Sequence, residues 1–297
     1  MKKPLTYARH DRAHCLAPGL FKSFKRGERK KLKLDITYSY NENTSLRFVG
    51  FEPLGADDMR LLQGIVALAS AAPATVDLFE PKGDTGKQLA LLLEPKQDAV
   101  TEKASAVRTS LQRLMKEIGY KTDGGDKREE VIESFRRLAN VTVHVRGDSK
   151  EWAIHLLSYY HDEVSGQLVI AVNPRITKAI MGEGAYTHID MREVRALRSD
   201  PARILHQRLC ATVDPGKQLA IGIDKLIGYV WPESVTGAAL RMRRQTIREA
   251  IAELTATGGW LFQSTAAGYM ISRRKIGYPE MLEGTPVAAP LSEALLV

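Results

Sequence analysis

The stretch TGAALRMRRQTIREAIAELTATGG, positions 236–259, limits what this chain can fold into more than any other. Leu240, Ile247, Ile251 and Leu254 share one helical face, and Gly258-Gly259 ends the period. A long helix with one apolar stripe has to lie against a core. Its flanks say what surrounds it. SDPARILHQRLCATVD reads as a helix capped by Ser199 or Asp200. KQLAIGI reads as a short strand, and DKLIGYVW as a short helix capped by Asp224 and stopped by Pro232. WLFQSTAAGYMISRRK reads as two strands about a small turn. Helix, short strand, helix, turn, longer helix, hairpin is the order of a winged helix-turn-helix. In that motif the longer helix enters the major groove of DNA and the hairpin touches the flanking backbone.

The polar side of the long helix agrees with that order. Arg241, Gln245 and Arg248 share a face, Arg244 lies near its boundary and Arg243 on the other flank. Arginine matches guanine O6 and N7, and glutamine matches adenine. Arg273, Arg274 and Lys275 end the hairpin, placed for phosphates. A solvated helix face is the ordinary alternative, but four arginines precede the first acid, Glu249. The net charge of +8 and pI near 9.4 favour a polyanionic partner over a neutral one.

The word GKQLA occurs twice, at Gly86–Ala90 and Gly216–Ala220. Neither copy is a phosphate loop. Gly83 and Gly86 are too close, no glycine stands five before Gly216, and Gln88 and Gln218 replace the hydroxyl that holds magnesium. The repeat predicts a duplicated winged-helix unit instead. A looser first copy has a helix near 54–72, a strand GKQLALLL, a long helix over 98–119, and a further helix over 127–140 followed by strands VTVHV, EWAIHLLSYY and QLVIAV. The face of helix 98–119 that carries Arg108 and Gln112 is less basic than its counterpart. The first unit is therefore expected to touch backbone or another copy of the chain.

The fold class expected is α+β, with two winged helix-turn-helix domains in tandem. The divisions are a basic arm over 1–33, an N-terminal domain over 34–190, a C-terminal domain over 191–275 and a tail over 276–297. The arm contains FKSFKRGERKKLK, whose cations include Lys25, Arg26, Arg29, Lys30 and Lys31. LDITYSY and SLRFVGF after it read as a hairpin. His10, Asp11, His14 and Cys15 lack a second ligand pair at zinc-finger spacing, so no metal is expected. His155, His161 and His206 read as structural. No catalytic triad or acidic cluster stands out, and neither an enzyme nor a cofactor is expected. The polar N-terminus, the absence of a long apolar run and only two cysteines fit a chain of a reducing cytoplasm.

The chain resembles the RepC replication initiators of IncQ-type broad-host-range plasmids. The resemblance is carried by ARHDRAHCLAPGLFKSFKRGERKKLKLD (8–35), EPLGADDMRLLQG (52–64), EVRALRSDPARILHQRLC (193–210), GYVWP (228–232) and RMRRQTIREAIAEL (241–254). It implies binding of double-stranded iteron repeats at a plasmid origin, opening of an adjacent A+T-rich region, recruitment of a plasmid-encoded helicase and primase, and a part in copy control. It assigns Arg241, Arg243, Arg244, Gln245 and Arg248 to iteron reading, and Lys25, Arg26, Arg29, Lys30 and Lys31 to the backbone. A homodimer through the N-terminal domain is compatible with it. The alternatives are a relaxase or primase acting at the same origin, and a winged-helix repressor.

Overall fold

In the computed structural model, one helix organises the molecule: α2 (Ala56–Ala71). Residues 5–24, 27–78, 80–121, 124–147, 151–275 and the backbone of 289–290 are described. Asp57 and Asp58 favour the positive end of α2, and the Asp58 carboxylate accepts from the Gly55 N–H at 2.7 Å. Leu61, Leu62, Ile65, Val66 and Leu68 face different directions and all are buried. A helix apolar all round has to be enclosed. At Gly64 a Cβ would lie 2.3 Å from Ile118 Cγ2, so glycine permits this close approach.

The N-terminal part builds two five-stranded sheets. The first joins β2 (Leu34–Asn41), β3 (Thr44–Gly50), β7 (Thr142–Arg146), β8 (Glu151–His155) and β5 (Lys96–Gln97), in that spatial order. The second runs β15 (Ala289–Pro290), β4 (Ala74–Asp77), β6 (Lys103–Ser110), β10 (Gln167–Val172) and β9 (Leu157–Asp162). The single segment EWAIHLLSYY serves both sheets. It breaks at Leu156, whose N–H donates to Val141 and whose carbonyl accepts from Asn173. The second sheet is buried on both faces. α3 (Gly83–Leu93) covers one, with Leu89 and Leu93 against Val169 and Ala171. α2, α5 (Gly125–Ala139) and α6 (Pro174–Met181) cover the other.

In the C-terminal part, α8 (Asp200–Thr212) packs on α2, and the buried pair Gln63–Gln207 bonds across them at 2.7 Å. Then come β12 (Gln218–Gly222), α9 (Ile223–Val230), α10 (Gly237–Ala256), β13 (Trp260–Ser264) and β14 (Gly268–Arg273). The three strands form an antiparallel sheet ordered β12-β14-β13. Ser199 caps α8, as its sequence predicts, while Asp224 stands in the first turn of α9 behind Gly222. At the other end of the chain, β1 (Tyr7–Asp11) pairs with β11 (Tyr186–Asp190), and α1 (Arg12–Leu16) packs on α8. Residues 7–16 are thus built into the core, not part of an extended arm.

Two expectations for the first copy fail. GKQLALLL is not a strand: Gly86–Ala90 lies inside α3, whereas Gly216–Ala220 forms a turn and the start of β12. Helix 98–119 is instead a short 3-10 turn, strand β6, and the seven-residue helix α4 (Leu111–Glu117). β6 lies between β4 and β10 with Ala104 and Ala106 in one core and Val107 in the other. Burial on both faces removes the two-residue alternation that betrays a strand, so the four-three spacing misleads. The shared word therefore does not align two copies. The strand orders nonetheless correspond at another register. β6, α4, α5, β9 and β10 follow one another as β12, α9, α10, β13 and β14 do, with sheet orders β6-β10-β9 and β12-β14-β13. The first set carries β7 and β8 as an insertion before its hairpin.

Candidate nucleic-acid interface

α10 is held from one side and open on the other. Ile247, Ala250, Ile251 and Leu254 are buried. The carboxylate of Glu253 accepts from the backbone N–H of Arg198 and Ser199 and from the Ser199 hydroxyl at 2.7 Å, which fixes the helix to the start of α8. The opposite face exposes Arg241, Met242, Gln245 and Arg248. Arg241 and Arg248 make no ion pair among the described residues, so their donors face solvent. Gln245 donates to Glu249 at 3.0 Å, an exposed bond that water or a ligand can replace.

The other two helix arginines are partly committed. Arg243 lies over the Trp231 ring, 5.3 Å from its centre, and donates to the Glu233 carbonyl. It shapes the turn between α9 and α10. Arg244 pairs with Asp224 of α9 at 3.0 Å and is half exposed. That pair is weak in water and can be exchanged for a phosphate.

The hairpin arginines divide. Arg273 is buried, and it donates to the carbonyls of Cys210 at 2.9 Å, Val213 at 3.3 Å and His188. It is a structural tie and cannot reach phosphate. Arg274 and Lys275 are exposed beyond the end of β14. The basic arm divides as well. Lys25 and Arg26 lie outside the described residues. Arg29 pairs with the buried Asp58 at 3.6 Å and lies over the Phe24 ring, so it holds the start of α2. Lys30 and Lys31 stand exposed in a 3-10 turn. Lys22 bonds the Glu233 carboxylate at 2.8 Å, which brings this segment alongside the α9–α10 turn.

Arg108 and Gln112 share no helical face. Arg108 is on β6 opposite Val169, and Gln112 is exposed in the first turn of α4. The helix that corresponds to α10 in the N-terminal part is α5, and most of its cations are matched: Lys127 with Glu130, Arg136 with Glu129 and Glu133, and Arg137 with Asp58. It offers little free positive charge.

His10, Asp11, His14 and Cys15 do not converge on one point. Asp11 caps α1 and binds His14 Nδ1 at 2.6 Å and Arg175 at 3.3 Å. The Asp11 carboxyl sits at about 2: burial raises it, but His14 and Arg175 outweigh burial. A grouping that the sequence reading passed over does converge: Glu193, His206 and Cys210. The four-residue spacing of His206 and Cys210 on one helix face is the signal that was there to read.

The profile of the family described as Replication protein C (RepC) matches residues 2–280, nearly the whole chain. The chain belongs to the RepC family. A search among curated proteins gives no match. RepC membership makes this a plasmid replication protein, and it agrees with the resemblance carried by residues 8–35 and 241–254. No helix among the described residues is long and apolar enough to cross a membrane.

Proposed function

We propose that this chain is a replication initiator that grips double-stranded repeats at its plasmid origin. In this reading the C-terminal part is a winged helix-turn-helix, α10 is its recognition helix and β13–β14 is its wing. One observation carries the reading. Arg241 and Arg248 project, without ion-pair partners among the described residues, from a helix whose other face is fixed in the core. A rigid helix with free arginine forks is what bidentate guanine recognition in the major groove needs. Arg244 and Gln245 join them once they exchange Asp224 and Glu249 for DNA. Arg274, Lys275, Lys30 and Lys31 take phosphates on either side.

The N-terminal part, from β6 to β10, has the strand order of a second winged unit. Its matched charges on α5 suit self-association better than DNA contact. α3 exposes Leu91 by 75%, on the side turned away from its core, and self-association is assigned there. Opening of an A+T-rich region and delivery of helicase and primase in the bacterial cytoplasm complete the reading. The chain is cast as a binding protein and not as a nuclease or primase. Fluorescence anisotropy on an origin repeat and on a shuffled duplex tests it. Preference for the repeat by at least tenfold supports the reading, and equal affinity for both duplexes refutes it.

A further inference from the structure

Three side chains of metal-ligating type meet beneath the C-terminal hairpin. His206 and Cys210 stand one turn apart on α8, both fully buried. Glu193 reaches them from α7 (Met191–Ala196). One donor atom of each lies within 4.8 Å of the others. His206 Nε2 is 2.6 Å from Glu193 Oε2 and 3.5 Å from Cys210 Sγ.

One nitrogen therefore faces two partners. Nε2 carries either one hydrogen or one lone pair, so the carboxylate and the sulfur have to share it. A divalent cation between the three would take a lone pair from each. The nitrogen–sulfur separation already suits it: bonds of about 2.1 and 2.3 Å at a tetrahedral angle place the two ligand atoms about 3.6 Å apart. The carboxylate has to draw back by about 0.7 Å to reach the corresponding nitrogen–oxygen spacing.

The surroundings support the ligands. Trp260 Nε1 donates to Glu193 Oε2 at 3.0 Å. Thr187 and Arg273 both donate to the carbonyl of Cys210, at 2.5 and 2.9 Å. The Trp260 bond orients the carboxylate, and the other two fix the backbone that carries the Cys210 thiol. At Gly259 a Cβ would lie 1.6 Å from Glu193 Oε1, so only glycine leaves the carboxylate its place. Glu193 and Gly259 also line a cavity of about 810 Å³, through which water can supply a fourth ligand. Zinc enters such a site as the ligands give up their protons, so binding should strengthen with rising pH. One thiolate, one imidazole and one carboxylate select zinc over magnesium or calcium.

We propose that Glu193, His206 and Cys210 bind one zinc ion that clamps α7 to α8. The test uses the full chain, stripped of metal with a chelator and titrated with cobalt(II). Wild type should show the thiolate-to-cobalt charge-transfer band, saturating at one equivalent and bleached by zinc. Cys210→Ser should lose the band and Cys15→Ser should keep it. Zinc at about a hundredfold over its Kd should raise the melting midpoint of wild type by roughly 5–10 °C. No band and no shift in wild type would overturn the proposal even if Cys210→Ser failed to fold. A band that vanished in Cys15→Ser would overturn it too, because the thiolate would then belong to another site.

Discussion

The guanidinium of Arg273 donates to the carbonyl of Cys210 at 2.9 Å, joining β14 to the end of α8, and the ring of Trp260 lies against it, 5.3 Å from centre to guanidinium. Arg273→Ala leaves the buried carbonyls of Cys210, Val213 and His188 without this donor. It should cost about 2–4 kcal/mol of stability, read as a lowered urea midpoint with unchanged slope. Arg274→Ala, one residue on and exposed, should leave the midpoint alone and weaken DNA binding. Reversed effects would place Arg273 on the DNA.

The arm supplies a second contrast. Each phosphate neutralised adds roughly 0.9 to the slope of log affinity against log salt. Replacing Lys30 and Lys31 with alanine should flatten that slope by up to about two units at constant specificity. Arg29→Ala should leave the slope unchanged and lower the melting midpoint, because the Arg29 side chain steadies Asp58 at the head of α2. A salt series with both variants separates the two roles.

Met242 is 72% exposed between Arg241 and Gln245. An apolar side chain there matches the methyl group of thymine in the major groove. Substituting deoxyuridine for one contacted thymine should weaken wild-type binding by about 0.5–1 kcal/mol, roughly the worth of one buried methyl. Met242→Ala should bind both duplexes equally. Equal sensitivity of wild type and Met242→Ala to the missing methyl would remove Met242 from the contact.

Acid should unfold the protein partly through His10. Its ring is fully buried, and burial followed by the neighbouring charge of His14 pulls its pKa down to about 4. The folded value lies below the unfolded value of about 6.5, so the stabilisation is complete above that pH and is lost as pH falls towards 4. Between about pH 7.5 and about pH 5 this one group should cost about 2 kcal/mol. His10→Phe should flatten that part of the stability profile. An unchanged profile would move the acid sensitivity elsewhere.

The C-terminal elements were legible because each announces itself locally. Ser199 caps α8, Pro232 stops α9, Gly258 with φ +78° ends α10, and the hairpin strands alternate. The N-terminal sheet was not, because β6 is buried on both faces and looks helical by spacing. GKQLA shows the same limit from the other side: five identical residues form helix under β9 and a turn leading into strand beside β14, as their neighbours dictate. At the site, charge alone could not separate Arg241 and Arg248 from Arg273 and Arg29. All four look alike until burial and partners are known.

Footprinting on the cognate plasmid origin tests most directly whether α10 reads repeated DNA. Wild type should protect a regular array of repeats, and Arg241→Ala with Arg248→Ala should lose it while keeping the wild-type melting midpoint. No protected array with wild type, or an array unchanged in the folded double variant, would contradict the account.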